Sequence, residues 1–283
     1  VLLILPFIPG VGNTFGTARS WIIIGGWSFQ TSELAKLGLI LTFSGYAAKY
    51  ESTLREWRQG LLFFFLFVIP PLGILALQPD VGGMAILAFV AIVLFYLSGG
   101  SLKSAGVVAL IGIVVFSLLI SMRPYRADRF MVFLHPELDP RGAGYHINQA
   151  LMAIGSGGLF GFGFGHSRQK FQYLPEVAGD SIFAIIAEEL GFIIAALLVA
   201  VYVWIFLRMI KIAERSGDRF SRLVVGGISV LIVGQAFVNI GAMVGLLPLT
   251  GLTLPFISYG GSSLFALLLG IGMVLQISKG KEE

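Results

Sequence analysis

Asp180 closes the run Leu174-Pro-Glu-Val-Ala-Gly-Asp180, and after Ser181 the chain turns apolar with Ile182 and Phe183. A carboxylate at such a boundary is partly desolvated, which lifts its pKa toward that of a useful general base. Asp is also a preferred helix N-cap, and both roles can be held together. Upstream, Arg123, Arg126 and Arg129 recur every third residue. In a helical or tight-turn geometry they share one face, a fork-shaped donor array suited to phosphate. The bland alternative is a solvated juxtamembrane cluster that touches headgroups, with Asp128 as local partner. A base facing a basic loop suits chemistry on an anionic lipid substrate.

Other polar groups sit in apolar surroundings. Glu188 and Glu189 lie about two turns beyond Asp180, and acids in a spanning segment are usually paired or functional. Glu33 and Lys36, three residues apart, either satisfy each other on one helix face or leave Lys36 free to enter a cavity. Gly155-Ser-Gly-Gly-Leu-Phe-Gly-Phe-Gly-Phe-Gly165 lacks the GK[ST] ending and the preceding strand of a phosphate loop. Its alternation instead predicts close backbone packing, with Phe dipping into the membrane interface. The stretch Pro248–Ser263 holds prolines and glycines at membrane depth, where non-helical backbone is tolerated only inside protein or beside a wet cavity. Ser262 or Ser263 is expected to cap the helix that follows. The three His (His135, His146, His166) fall in one loop without HExxH spacing, so no metal site is specified.

The elements that must hold these residues are membrane helices. Hydrophobic residues make up 57% of the chain and charged ones 12%, against about 25% charged in soluble domains. Mean hydropathy is +0.91. The fold class is therefore all-α, a polytopic membrane protein forming one domain over residues 1–283. Apolar runs near Ser32–Tyr50, Gly60–Leu77, Val81–Ser98, Ala105–Ile120, Ser181–Met209, Leu223–Leu247 and Ser263–Ile277 give about seven helices of spanning length. Gln78-Pro79-Asp80 separates two of them, with Asp80 as cap of the second. Val1–Pro9 is too short to cross and reads as the tail of a helix, so the chain is expected to be a fragment. Lys and Arg concentrate in alternate connections, among them Lys49, Arg55, Arg58, Lys103 and Arg208 to Arg222. That side is cytoplasmic, which puts Gly10–Thr31, the large loop 121–180 and Pro248–Ser262 outside. Cysteine is absent, which excludes disulfides and Cys-based metal sites. No basic-aromatic motif of the nucleic-acid kind is present, so no nucleic acid is expected as partner.

Together these segments resemble the SEDS family (shape, elongation, division and sporulation) of bacterial cell-wall synthesis. The resemblance rests on Ser32-Glu-Leu-Ala-Lys36, Gln78-Pro-Asp-Val-Gly82, Pro124-Tyr-Arg-Ala-Asp-Arg129 and Gly144-Tyr-His-Ile-Asn-Gln149. It continues through Gln169-Lys170, Leu174-Pro-Glu176, Asp180-Ser-Ile-Phe183, Glu188-Glu-Leu-Gly191 and Pro255-Phe-Ile-Ser-Tyr-Gly-Gly-Ser-Ser263. Ala153-Ile-Gly-Ser-Gly-Gly158 and the run from Asp180 to Phe192 look most like the division branch. The resemblance implies about ten helices in the complete fold, with the first two and most of the third missing here.

The resemblance further implies a peptidoglycan glycosyltransferase that polymerises lipid II at the division septum, with its active site outside the cytoplasmic membrane. Asp180 falls on the family's catalytic Asp. Arg123, Arg126, Arg129 and Lys170 would neutralise the leaving diphosphate. Glu33, Lys36, Asp80 and Glu176 join them as substrate-binding residues. The implied partners are lipid II, a class B penicillin-binding protein, other divisome proteins and membrane lipids. A divalent cation at the diphosphate is compatible with this, and no residue specifies one. The family's usual Leu-Pro-Glu-Ala-His-Thr-Asp-Phe departs here, with Val177-Ala178-Gly179 and Ser181 in place of Ala-His-Thr and Phe. Arg19 stands one residue away from the Arg usually next to Trp, where Ser20 is found. The rival readings are a lipid II flippase and a non-catalytic scaffold of the division machinery.

Overall fold

The computed structural model describes residues 2–10, 12–15, 18–121, 131–139, 142–171 and 173–280. The three arginines 123, 126 and 129 lie outside the described residues. The chain divides into two compact units, one of Val1–Phe116, Ile205–Gly234 and Gly261–Glu283, the other of Ser117–Trp204 and Gln235–Gly260.

In the first unit a 3-10 helix over Leu2–Phe7 leads into a three-stranded antiparallel sheet in the order β1 (Gly12–Phe15), β2 (Ala18–Ile24), β3 (Trp27–Gln30). The sheet was not foreseen in the segment read as a plain outer connection. Its signal was Gly25-Gly26: both have positive φ, 58° and 85°, as the tightest hairpin turn requires, and Ile24 pairs Trp27 across it. Arg19 is spent on this corner. Its side chain donates to Pro6 O at 3.1 Å and its backbone N–H to Gln78 O at 3.0 Å.

Helices α1 (Thr31–Lys49), α3 (Trp57–Leu77) and α4 (Val81–Leu97) follow, with a short α2 (Glu51–Arg55) between the first two. Their apolar faces make a core in which Ile40, Phe43, Val68, Leu87 and Leu94 are fully buried. Phe43 and Phe63 pack with ring centroids 5.1 Å apart, and Phe64 and Phe95 5.4 Å apart. As expected, Asp80 ends the break between α3 and α4, accepting from Gly83 N–H at 2.8 Å. Helix α5 covers Leu102–Ser121 and the last helix, α9, covers Gly261–Lys279. Ser262 differs from expectation: its hydroxyl accepts the N–H of Gln30 at 2.9 Å and so ties β3 to α9.

Two helices run from one unit into the other, α7 (Ile182–Arg215) and α8 (Arg219–Met243). In the apolar window of α8 72% is buried, against 17% in α7. So α8 is largely buried, and α7 leaves most of its apolar window uncovered. Helices α3, α7, α8 and α9 are long and apolar enough to cross a membrane, with α4 and the start of α5 as shorter apolar helices.

The second unit gives the large loop an ordered interior. Its helix α6 spans Ala143–Ser156, and the glycine-rich run after it splices a break in α7. Gly191 has φ 79° and ψ 179°, which no helix can hold. The groups freed there are taken up by the loop: Phe162 and Gly163 N–H donate to the carbonyls of Glu188 and Glu189 at 3.1 and 2.9 Å. Phe192 N–H returns a bond to Gly158 O at 2.9 Å. A Cβ on Gly161 would stand 2.1 Å from Glu189 O, so the splice needs glycine. The neighbouring Phe160 and Phe164 are 78% and 84% exposed, which suits side chains dipping into an interface.

Candidate functional site

Asp180 is half-buried in the turn that enters α7. The helix starts at Ile182, so Ser181, not Asp180, is the residue just before it. The approach is fixed through three backbone carbonyls. Ala178 O accepts from Tyr259 N–H at 2.7 Å, Gly179 O from the Ser258 hydroxyl at 2.6 Å, and Asp180 O from the Asn239 amide at 2.8 Å. Three consecutive carbonyls are therefore held by α8 and by the irregular segment after it. On the other flank the Ser181 hydroxyl donates to Pro175 O at 2.8 Å and lies 2.6 Å from His146 Nε2 on α6. Serine has one proton, and Pro175 O takes it, so His146 donates from Nε2.

The irregular segment is itself satisfied, as its depth demands. Asn239 also donates to Leu252 O at 2.7 Å, Gln235 to Thr253 O at 3.1 Å, and Tyr202 to Pro255 O at 2.6 Å. Ser258 Oγ accepts Leu254 N–H at 2.7 Å. These polar side chains were missed in the sequence, although polar residues inside apolar helices are the standard sign of such a duty.

Glu188 and Glu189 are buried and wrapped by the loop ahead of Asp180. Glu188 accepts from the Ser167 hydroxyl, and from Arg168 N–H at 3.0 Å. Glu189 accepts from Gly165 and Ser167 N–H at 2.9 and 3.1 Å, and Lys170 Nζ lies 2.5 Å away. Lys170 thus holds an ion pair with Glu189, with its side chain 22% exposed. Glu176 is exposed, and its carbonyl closes the turn by accepting Gly179 N–H at 2.9 Å.

Glu33, Lys36 and Asp80 belong to the first unit, while Lys170, Glu176 and Asp180 belong to the second. Glu33 and Lys36 meet at 2.8 Å, both buried, on one face of α1. Asp80 uses one carboxylate oxygen as the cap; the other is buried with no hydrogen-bond partner among the described residues. Gly179 is not demanded by the backbone, since a Cβ there would meet nothing closer than 3.4 Å. The space there would admit the side chain that the family's usual motif carries at this position.

The chain and its fold match known proteins over the whole length of the chain. The profile of the FtsW/RodA/SpoVE family, described as "Cell cycle protein", matches residues 1–283. Stage V sporulation protein E of Bacillus subtilis (strain 168) is 40% identical over 278 residues, which is 98% of this chain and 76% of that protein. A protein named probable peptidoglycan glycosyltransferase FtsW from Geobacter sp. (strain M18) is 38% identical over 280 residues, with the same 98% and 76% coverage. Among solved structures, one titled "Structural coordination of polymerization and crosslinking by a peptidoglycan synthase complex" superposes with a TM-score of 0.80 at 32% identity. It covers 99% of this chain and 78% of its own. The rod shape determining protein RodA of Thermus thermophilus gives a TM-score of 0.71 at 30% identity, covering 100% and 76%. The chain belongs to the SEDS family and is a multi-pass membrane protein. Identity alone does not separate the sporulation-named from the division-named relatives.

Proposed function

We propose that this protein is a peptidoglycan glycosyltransferase that polymerises lipid II into glycan strands on the outer face of the cytoplasmic membrane, at the division septum. The names of its FtsW relatives support the reaction and the division role. The single observation that carries the site is the anchoring of Asp180, whose own carbonyl and the two before it are each fastened from another segment. A base must be held within about 0.5 Å of its productive position to work.

Asp180 accepts the proton of the acceptor sugar's 4-hydroxyl as that oxygen attacks the donor's anomeric carbon. The bond from that carbon to the diphosphate oxygen breaks, and undecaprenyl diphosphate leaves with the electron pair. The negative charge that develops on the leaving group is the largest in the transition state, so cations placed there stabilise it most. Arg123, Arg126 and Arg129 are assigned that role. Lys170 joins them only if the diphosphate draws it from Glu189. Glu33, Lys36, Asp80 and Glu176 are assigned to substrate binding. A class B penicillin-binding protein crosslinks the strands alongside, and other divisome proteins place the pair at the septum.

The test is polymerisation of labelled lipid II by the complete purified protein together with its partner. Asp180→Asn keeps the turn and removes the base, so the rate should fall by about 10²–10⁴-fold while the melting temperature stays near wild type. A near wild-type rate would make Asp180 structural.

A further inference from the structure

We infer that His146 is a positioning residue for Asp180, acting through the Ser181 hydroxyl; the inference rests on the polymerase reading of the site. The two side chains come from separate elements of the second unit, His146 from α6 and Ser181 from the entry to α7. His146 Nε2 lies 2.6 Å from Ser181 Oγ, and Ser181 is fully buried.

The turn ahead of Asp180 is strained and has to be clamped. Glu176 has φ 47°, a left-handed conformation that a residue other than glycine keeps only where its surroundings over-determine it. Its carbonyl accepts Gly179 N–H at 2.9 Å and Ser181 N–H at 3.3 Å, which curls the chain around it. The Ser181 hydroxyl closes that curl by donating to Pro175 O at 2.8 Å. Asp180 lies inside the closed segment, next to the clamping residue.

A serine hydroxyl alone is a loose clamp, because its proton rotates and its side chain has three staggered positions. With the proton on Pro175 O, Oγ can only accept, and His146 fills that capacity from Nε2. The imidazole therefore fixes both where Oγ sits and the direction in which it donates. Helix α6 is a firm base for it. One and two turns on, Ala150 and Ala153 share the face of His146 and are fully buried. A Cβ on Gly144, at the start of α6, would stand 2.1 Å from Pro136 O, and one on Gly157, just past its end, 2.0 Å from Ala187 O. Backbone thus packs against the helix at both ends. Asn239 holds the carbonyl of Asp180 itself at 2.8 Å, so the base is gripped directly and through its neighbour.

The test is steady-state polymerisation of labelled lipid II by the complete protein with its partner, with kcat and KM separated and each variant assayed where it is folded. His146→Leu removes the donor and keeps an apolar body. It should lower kcat about tenfold, since a misplacement of about 1 Å costs up to about 10²-fold. KM should stay within about twofold, because the lost interaction belongs to the transition state. His146→Gln presents an amide N–H at the reach of Nε2 and should restore turnover; His146→Asn, one bond shorter, should not. Ser181→Ala should lower kcat at least as far as His146→Leu. The double variant H146L/S181A should be no slower than S181A alone, because the histidine acts through the serine. Losses that multiply in the double variant overturn the inference, as does a lowered melting temperature with kcat intact. If H146L does not fold, H146N is read by the same criteria. Asp180→Asn, run alongside, separates the two levels. Its loss of activity beside wild-type kcat in H146L and H146N overturns the positioning role alone. Wild-type turnover in Asp180→Asn overturns the polymerase reading and this inference with it.

Discussion

At the scale of single residues, the site depends on groups that hold Asp180 as much as on Asp180 itself. Asn239 is buried in α8, and its amide serves Asp180 O and Leu252 O together. Asn239→Ala leaves both carbonyls without that donor, at a cost of about 1–3 kcal/mol. Melting in detergent should register the loss. At a temperature where the variant is still folded, lipid II polymerisation should drop at least about tenfold, as expected when a base is displaced. An unchanged rate would mean that the Asp180 peptide needs no such anchor. The acid Asp218, in the connection between α7 and α8, behaves differently. Hydrogen bonds from the Ser221 side chain and backbone N–H hold its carboxyl below the usual range. A depressed carboxylate stabilises the fold above its unfolded pKa, and that contribution is lost as pH falls through the folded value. Asp218→Ala should cost about 1 kcal/mol near pH 7, and the gap between the melting curves of variant and wild type should close as the medium is acidified below pH 4. A gap that persists in acid would show that the carboxylate charge is not what caps α8.

At the scale of elements, the break in α7 is a joint of two strands of backbone. Gly191 is held at φ 79°, and a Cβ there would lie 2.4 Å from Gly161 N. Gly191→Ala should destabilise by more than about 3 kcal/mol, combining left-handed strain with a backbone clash. Gly155 offers the control: it sits in α6 with nothing within 4 Å of its missing Cβ. Gly155→Ala should be neutral or stabilising by about 0.5–1 kcal/mol. Thermal melts of the two variants give the comparison, and equal melting would remove the splice as a structural requirement. The carboxylates of Glu188 and Glu189 act on the same joint from the other direction. Each fixes backbone N–H groups of residues 165–168, so the loop is fastened both at its glycines and just after them.

At the scale of the whole molecule, sidedness is what the proposed reaction requires. In the proposed reaction lipid II reaches Asp180 from outside, where no ATP is present and the substrate's own diphosphate bond supplies the energy. The chain has no native Cys, so single cysteines report without background. Leu138, which is 60% exposed in the large loop, should react as Leu138→Cys with a membrane-impermeant thiol reagent in intact spheroplasts. Gly217→Cys, in the basic connection between α7 and α8, should stay protected until the membrane is opened. The reverse pattern would put the large loop in the cytoplasm and remove the polymerase reading.

The sequence by itself determined the apolar helices α1, α3, α4, α5, α7, α8 and α9, because hydrophobic length and the Pro79 break act locally and need no partner. Their ends agree to within a few residues for the first four, and α7 runs on to Arg215 because charged residues can continue a helix beyond the lipid. It offered the Glu33–Lys36 pair as one of two readings, since i,i+3 spacing puts both on one helix face, and the structure shows the two paired. Family motifs set Asp180 apart from the other acids. Only the tertiary structure decided what surrounds it. Asn239 and Ser258 follow Asp180 by 59 and 78 residues (239 − 180 and 258 − 180), and no periodicity links groups that meet through the packing of separate segments. The same holds for Lys170, which the family resemblance marked as a diphosphate ligand and the fold placed against Glu189. A side chain's type says what it can bind, but its partner is chosen by whichever backbone the fold brings within reach.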